Sequence, residues 1–358
     1  MKVSLDCIIY GLQRFGGIST YWRGLVAHLS QEPDVDLTIR LPRGVLAQDT
    51  APGIAATPAR RDLLPARIAR YLPVSVDSTA DLHHSSYYRN PISARTRSVV
   101  TVHDFIYEKF RRALPRLVHS AQKLSAIRRA QGIICISQNT RRDLLEYVPQ
   151  VDPEQVAVIP MGVDFETMRP LSHREIDRSM SDVVLFVGQR ADYKRFDLAV
   201  RAVQSLKDLR LGIAGPALTA GETAFLNAAL GKRWIFFGRV MPERLRVLYG
   251  SGFAFIYPSS YEGFGLPVLE AMACGAPTIV ANLASLPEVG GEAALYAEGQ
   301  TPVAYPQNLA SLSNASFRGS KIREGLARAR LFSWETTFQR TVDFYRTVLA
   351  RSRDHCSG

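Results

Sequence analysis

A chain of 358 residues, 46% hydrophobic and 22% charged, is long enough for about two or three domains and holds no run approaching the roughly 18 apolar residues of a membrane span. Lys+Arg 44 against Asp+Glu 33 leaves +11, an excess that fits nucleic acid, anionic lipid or a phosphorylated substrate and excludes none of them. The four cysteines, Cys7, Cys135, Cys274 and Cys356, lack metal-ligand or redox spacing, and Lys2 leads straight into a strand-like run rather than a signal peptide; a reducing, cytoplasmic location is therefore expected.

In chain order, Val3–Ile9 reads as a buried strand, followed by a glycine loop over 11–17 and a helix with Ile18, Tyr21, Trp22, Leu25 and Leu29 on one face. Val35–Leu41 is the next strand. Residues 42–80, rich in Pro, Ala and Arg, predict irregular chain with one short amphipathic helix over Leu63–Tyr71. Strands are then expected at Leu82–His84, Val99–Val102, Ile133–Ile136 and Val156–Pro160. Ser137 is placed to cap a helix over Thr140–Tyr147.

The alternation restarts at Val183–Val187. Strands follow at Leu211–Ala214, Trp234–Phe237, Phe253–Tyr257 and Thr278–Ala281, with helices over Phe196–Leu206 and Pro242–Tyr249. After a polar tail of elements, Ser333 is placed to cap a last helix, Trp334–Arg351, with Trp334, Phe338, Val342, Tyr345 and Leu349 on one stripe. Strands separated by helices predict parallel sheets with right-handed crossovers, in which ligands bind at the carboxyl ends of strands. The expected architecture is two Rossmann-like, doubly wound α/β domains facing a cleft: 1–165, 166–333, and a segment 334–358 whose helix packs back on the first domain.

One stretch concentrates the chemistry. From Tyr261, the run Glu262-Gly263-Phe264-Gly265-Leu266-Pro267-Val268-Leu269-Glu270 reads as a strand end, a glycine turn and a helix start. The glycines admit close backbone approach, Pro267 suits the first helical position, and free N–H groups with the helix dipole favour an anion. Glu262 before the turn and Glu270 in the first helical turn flank that site. Phosphate on amides and hydroxyls on carboxylates together point to a sugar nucleotide.

With this Glu-x7-Glu element, further stretches occur in order: Phe15-Gly16-Gly17-Ile18, Thr101-Val102-His103-Asp104, Ser137-x-x-Thr140 with Asp143-Leu144, and Ile159-Pro160-Met161-Gly162-Val163-Asp164. Phe186-Val187-Gly188-Gln189-Arg190 then runs on to Lys194, and Phe332-Ser333-Trp334-Glu335 opens the last helix. Across nearly the whole chain, the set resembles the family-4 glycosyltransferases of the GT-B fold, which are retaining and use nucleotide sugars.

That resemblance assigns expectations by residue. Glu270 would bind the donor ribose, its carboxylate accepting two hydroxyl hydrogen bonds. Glu262 would face the transferred sugar, and the backbone of Gly263, Phe264, Gly265 and Leu266 would hold sugar hydroxyls and phosphate. Arg190 and Lys194 would neutralise the leaving diphosphate, where fixed cations lower the barrier; Arg195 is a competing choice. His103, at a strand tip, would face the donor sugar. Gly16 and Gly17 would approach the diphosphate, and Gly238, Arg239 and Val240 would line the base pocket. No metal or cofactor is implied beyond the nucleotide sugar.

Each assignment has a bland counterpart: a first-turn carboxylate for Glu270, a solvated loop residue for Glu262, surface charge for Arg190 and Lys194, a core histidine for His103. His83 and His84 also end a strand, and Asp104 reads equally as a helix cap. Between Phe105 and Arg142, nine Lys/Arg stand against one acid, Glu108, near Phe105, Ile106, Tyr107 and Phe110. This stretch reads either as a solvated basic helix or as a face for an acceptor or an anionic membrane.

The leading expectation is a hexosyltransferase, with mannose from GDP-mannose as the first choice, acting on a glycan or lipid-linked oligosaccharide in surface-polysaccharide synthesis. UDP donors, and an epimerase or phosphorylase of similar fold, are the alternatives. A nucleic-acid-binding protein would need an aromatic-laced platform or a recognition helix, and the sequence offers neither.

Overall fold

The computed structural model describes residues 1–13, 16–46, 59–110 and 114–354. The chain divides into two compact units: residues 1–161 with the segment from Trp334 onward, and Gly162–Ser333.

The first unit runs β1 (Lys2–Asp6), α1 (Ile9–Leu12), α2 (Gly17–Leu29), β2 (Asp36–Leu41), β3 (Ala59–Arg61), α3 (Ala66–Ala69), β4 (Leu82–Ser85) and β5 (Arg97–Val102). It continues through α4 (Ile106–Phe110), α5 (Leu114–Arg129), β6 (Gly132–Cys135), α6 (Gln138–Tyr147) and β7 (Val156–Val158). The strands form one parallel sheet in the order β3-β2-β1-β4-β5-β6-β7.

The second unit runs β8 (Val183–Val187), α7 (Phe196–Gln204), β9 (Arg210–Ala214), α8 (Ala220–Leu230), β10 (Trp234–Gly238), α9 (Pro242–Ser251), β11 (Ala254–Tyr257) and α10 (Leu266–Ala273). It then adds β12 (Thr278–Ala281), α11 (Leu286–Gly290), β13 (Leu295–Ala297), α12 (Ala304–Ser311) and α13 (Ala315–Ala329). Its parallel sheet has the order β10-β9-β8-β11-β12-β13. Buried Val184, Phe186, Ile213, Ile256 and Ile279 form its core with α7 and α12. Both sheets reverse their order between the first and fourth strand, so each opens a crevice at the carboxyl ends of those strands.

The last helix, α14 (Trp334–Asp354), belongs to the first unit. Phe338, Val342 and Tyr345 are buried as the stripe predicts, joined by Thr341, Phe344 and Val348. The Phe338 ring lies so close to Gly24 of α2 that a Cβ there would come within 2.5 Å of Cζ, and Trp334 stacks on it at 5.3 Å.

Local readings change in four places. The first strand stops at Asp6, where Cys7 N–H donates to Arg40 O and the buried residues Ile8–Tyr10 turn into α1; a continuous apolar run carries no mark of that stop. The glycine loop therefore opens as a helical turn, and its Arg14 and Phe15 lie outside the described residues. The helix expected over Leu63–Tyr71 contracts to α3, entered through Pro65, with Leu63, Ile68 and Tyr71 exposed. The sequence reading did not name β3, α5, α8, α11, α12, α13 or β13; α5 and α13 are mostly polar, whereas the apolar residues of α8 fall on all sides of the helix.

Phe338→Ala should cost about 3–5 kcal/mol, the range for truncating a buried aromatic. Urea unfolding followed by circular dichroism checks this, and an unchanged midpoint would show that α14 does not hold the first unit together.

Candidate functional site

The crevice of the second unit is built by the segments that follow β8 and β11. After β8, Gly188–Ala191 leads into a single 3-10 turn, Asp192–Lys194, closed by Arg195 in the left-handed region at φ 48. After β11, Pro258–Gly265 leads into α10. Ser260 N–H donates to Tyr193 O at 2.7 Å and its hydroxyl to the same oxygen at 2.9 Å, so the two loops are stitched together.

Lys194 is the strongest link between them. Its Nζ donates to Glu262 Oε1 at 2.5 Å and to Tyr257 Oη at 2.9 Å, and all three side chains are largely buried. Glu262 is thus no solvated loop residue: it is 8% exposed and one of its oxygens is committed to a cation. Ser285, entirely buried, donates to Glu262 O and Phe264 O and fixes the backbone of the glycine turn. Gly265 sits at φ 109 against Leu286, where an added Cβ would come within 2.9 Å of Cδ2, so a side chain there is doubly disfavoured.

α10 begins at Leu266, which puts Pro267 at its second position and Glu270 beyond the first turn, deeper than the sequence reading placed it. No hydrogen bond or ion pair joins the Glu270 carboxylate to any described residue. It keeps a partly open surface. Its surroundings still push its pKa up to about 7, through burial first and the charge of Asp164 second. A partnerless carboxylate set deep at the head of a helix is a hydrogen-bond acceptor waiting for donors.

Arg190 is anchored rather than free. Its Nε and Nη2 bond Glu222 at 2.6 and 3.3 Å, and Nη2 also reaches Pro216 O and Ala217 O at 2.9 and 2.8 Å. Glu222 belongs to the capping box that Thr219 makes at the start of α8. One guanidinium nitrogen, Nη1, is left buried without a partner. Arg195, the competing cation, is paired with Asp197 at 3.0 Å. Gly238 closes β10 and accepts from Gly215 N–H at 2.8 Å; Arg239 beside it is exposed and Val240 half-buried.

In the first unit, Gly16 caps α2 at φ 152, and a Cβ there would meet Gln13 at once, whereas Gly17 faces open space. The first intrahelical bond runs from Thr20 N–H to Gly16 O, so the amides before Thr20 are the unspent donors of the helix start. His103 directly follows β5, 7% exposed, with the Tyr21 ring edge-on at 5.4 Å and Nε2 unpartnered. Burial, reinforced by the Lys123 charge, pushes its pKa down to about 3, so it is a neutral imidazole near pH 7. His84 serves packing: its ring nitrogens meet Tyr345 Oη at 2.6 Å and Thr101 Oγ1 at 2.9 Å. His83 is sealed in the core. Asp104 accepts from Ile106 N–H at 3.0 Å, a capping contact.

The basic stretch 105–142 is less charged at its surface than its composition implies. Lys123 is 1% exposed and bonds Glu108 at 3.1 Å, and Lys109 pairs with Asp143 at 2.9 Å. Arg111 and Arg112 lie outside the described residues. Glu222, Tyr257 and Ser285 are the site residues sequence reasoning missed. Only Glu222 left a local signal, the Thr219-x-x-Glu222 capping box; the other two act through contacts far along the chain. Among the described residues no group of His, Cys, Asp and Glu could hold a metal ion, and no helix is long and apolar enough to cross a membrane.

A family model described as Glycosyltransferase Family 4 matches residues 15–167, and one described as Glycosyl transferases group 1 matches 169–312. The chain belongs to the family-4 glycosyltransferases and has their GT-B fold of two parallel-sheet α/β domains. Over 117 residues it is 45% identical to O-antigen chain mannosyltransferase B of Escherichia coli, a match covering 32% of this chain and 31% of that enzyme's length. It is 27% identical over 394 residues to D-inositol 3-phosphate glycosyltransferase of Acidothermus cellulolyticus, covering 94% of this chain and 87% of the other. A crystal structure of Anabaena HepE in complex with UDP-glucose matches in fold, with a TM-score of 0.71 at 16% identity, covering 97% of this chain and 100% of that one.

Two predictions follow from the geometry. Lys194→Ala leaves the Glu262 carboxylate buried and unpaired, and should lower stability by about 3 kcal/mol; adding Glu262→Gln should restore part of it, measured as thermal midpoints of the single and double variants. Because folding raises the pKa of Glu270, its ionisation costs stability as pH rises from the usual carboxylate range to about 7. Hydroxyls donating to the carboxylate favour its charged form. A ligand whose hydroxyls donate to this carboxylate should therefore bind more tightly as pH rises to about 7, level off above, and release a proton on binding below it. Calorimetry in buffers of different ionisation enthalpy reads that proton, and Glu270→Gln should abolish it.

Proposed function

We propose that the chain is a retaining, metal-independent hexosyltransferase that moves a hexose from a nucleotide sugar, first choice GDP-mannose, onto a glycan or lipid-linked oligosaccharide of a surface polysaccharide. The observation that carries the reading is a pair of unspent groups on the segments beside the second unit's sheet reversal: the partnerless carboxylate of Glu270 in α10 and the orphaned Nη1 of Arg190 after β8. A nucleoside diphosphate supplies what each lacks, vicinal ribose hydroxyls for the acid and phosphate oxygens for the base.

In this reading Glu270 takes the ribose, and the glycine turn with the head of α10 takes sugar hydroxyls and phosphate. Arg190 Nη1 and Lys194 meet the diphosphate. Lys194 is held between Tyr257 and Glu262, so its ammonium is preorganised where charge grows as the sugar–phosphate bond breaks. Glu262 keeps an oxygen for the transferred sugar while restraining the lysine. The leaving phosphate assists deprotonation of the acceptor hydroxyl on the same face of the sugar, which preserves anomeric configuration. His103, neutral, is the first unit's hydrogen-bonding group for a sugar hydroxyl, and Gly16 and Gly17 leave the amides at the head of α2 to a phosphate. The chain works in the cytoplasm or at the cytoplasmic face of the inner membrane.

The mannosyl choice is supported by the 45% identity to a mannosyltransferase, which is confined to 117 residues. A UDP-sugar donor is the second reading, favoured by the fold neighbour HepE, whose crystal structure holds UDP-glucose.

A thermal-shift panel of GDP, UDP, GDP-mannose and UDP-glucose tests the donor, since a ligand stabilises by mass action. GDP-mannose should raise the midpoint most, and no shift with any nucleotide sugar would sink the reading. Glu270→Ala should weaken donor affinity roughly ten- to a hundredfold, as a lost charge-assisted pair of hydrogen bonds implies. Lys194→Ala should depress turnover more than donor affinity, read as kcat against KM with radiolabelled donor.

A further inference from the structure

We propose that Lys123, clamped by Glu108, is a positioning residue for His103: it staples the turn that leaves β5 and so fixes where the imidazole points. The proposal rests on the transferase reading above, in which His103 meets a sugar hydroxyl, and deepens it by naming what holds that group in place.

The starting observation is a lysine where a lysine is costly. Lys123 on α5 is 1% exposed, the only buried lysine among the described residues. Burying an ammonium is unfavourable unless its protons find partners. Its Nζ donates to Asp104 O at 2.5 Å and to Glu108 Oε2 at 3.1 Å, and lies 3.5 Å from the centre of the Phe105 ring. All three contacts fall on residues 104–108, the segment that starts immediately after His103 and runs into α4. Glu108 is held in turn, since its other oxygen accepts from Ser120 Oγ at 2.9 Å. Ser120 and Lys123 stand one turn apart on α5, so one face of that helix grips both carboxylate oxygens.

Stability alone does not account for the pair. Apolar groups of similar volume in place of a buried ion pair are often no less stable, because desolvating two charges offsets their attraction. What an apolar group cannot do is bond a backbone carbonyl. The bond to Asp104 O fixes the chain one residue beyond His103, while the ladder of β5 fixes it up to Val102. Phe105, beneath the ammonium, stacks on Tyr147 at 5.1 Å, and the Tyr21 ring meets the imidazole itself edge-on. With the chain held on both sides, the direction of the His103 side chain is set before a ligand arrives.

The charge contributes as well. The charged groups around the turn are Asp104, Glu108 and Lys109 on it, Lys123 on α5 and Asp143 on α6. Lys109 pairs with Asp143 at 2.9 Å, as Lys123 does with Glu108. Tyr21, His84, Tyr88, His119 and Cys135 adjoin the same region, and burial keeps them uncharged near pH 7. Beside the burial of His103, the Lys123 charge is what disfavours its protonation. The imidazole therefore keeps one nitrogen to donate and one to accept.

Two variants of the full chain test this. Lys123→Met removes the cation and leaves Glu108 unbalanced. Lys123→Met with Glu108→Gln removes the whole pair and should fold, since replacing both partners is close to neutral. Nitrogen-15 NMR of histidine-labelled protein, with His103 assigned by the signal that His103→Gln loses, should find a neutral wild-type imidazole wherever the protein is folded. The single variant should raise the His103 pKa, because a cation is gone and an anion is unbalanced, and turnover should acquire an acidic limb that the wild type lacks. The double variant should move the His103 nitrogen resonances and lower kcat about ten- to a hundredfold, with donor KM little changed, the cost of misplacing a group by about 1 Å. Turnover is read as nucleoside diphosphate released from the nucleotide sugar that most stabilises the wild type.

The proposal falls if the double variant keeps the wild-type kcat and His103 resonances while its thermal midpoint drops, since Lys123 then serves stability alone. It falls equally if only one of the two readouts changes. A wild type that releases no diphosphate from any nucleotide sugar overturns the transferase reading and the positioning role with it. Normal wild-type turnover with an unaffected double variant removes only the positioning role.

Discussion

The ion pair between Lys194 and Glu262 is the constraint on which the second unit's crevice depends. It joins the segment after β8 to the segment after β11, the two strands between which the sheet order reverses. At a reversal, consecutive connections leave on opposite sides of the sheet, and nothing in the backbone ladder holds the diverging loops together. A charge pair with little access to water, reinforced by Tyr257 and by Tyr193–Ser260 contacts, does so. Its cost is that neither partner can be removed singly without stranding the other.

The same logic of anchoring runs through both units. Arg190 is held by a carboxylate that is itself part of a helix cap, which leaves one nitrogen to spare. Ser285 spends its hydroxyl on two carbonyls of the glycine turn. In the first unit, His84 is fixed by Tyr345 and Thr101, while the neighbouring strand tip leaves His103 Nε2 unspent. Groups that are satisfied hold the scaffold, while the Glu270 carboxylate, Arg190 Nη1 and His103 Nε2 keep bonding capacity that a ligand can take up.

Much of this was legible in the residues. Continuous apolar runs such as Val183–Val187 belong to strands buried on both faces, and their spacing with helices fixes parallel sheets. Ser137 caps α6 as its side chain predicts, accepting from Thr140 N–H at 2.9 Å. The stop of β1 at Asp6 and the contraction of the helix around Ala66 were not legible, because an apolar run ends where its neighbours need it to end, and Ile8 to Tyr10 are as buried in α1 as they would be in a strand. The basic count over 105–142 likewise misled: burial of Lys123 against Glu108 is a tertiary contact, which composition cannot register.

By itself, the sequence determined the alternation of elements, the glycine turn before α10 and the presence of two acids eight residues apart, since these follow from local sterics and periodicity. Only the tertiary structure decided what those acids are. Glu262 became a partner of Lys194, and Glu270 stayed without one, set deep enough that burial lifts its pKa to about 7. A carboxylate's state depends on the dielectric and charges around it, and those are supplied by residues such as Lys194 and Asp164, which stand far from it in the chain.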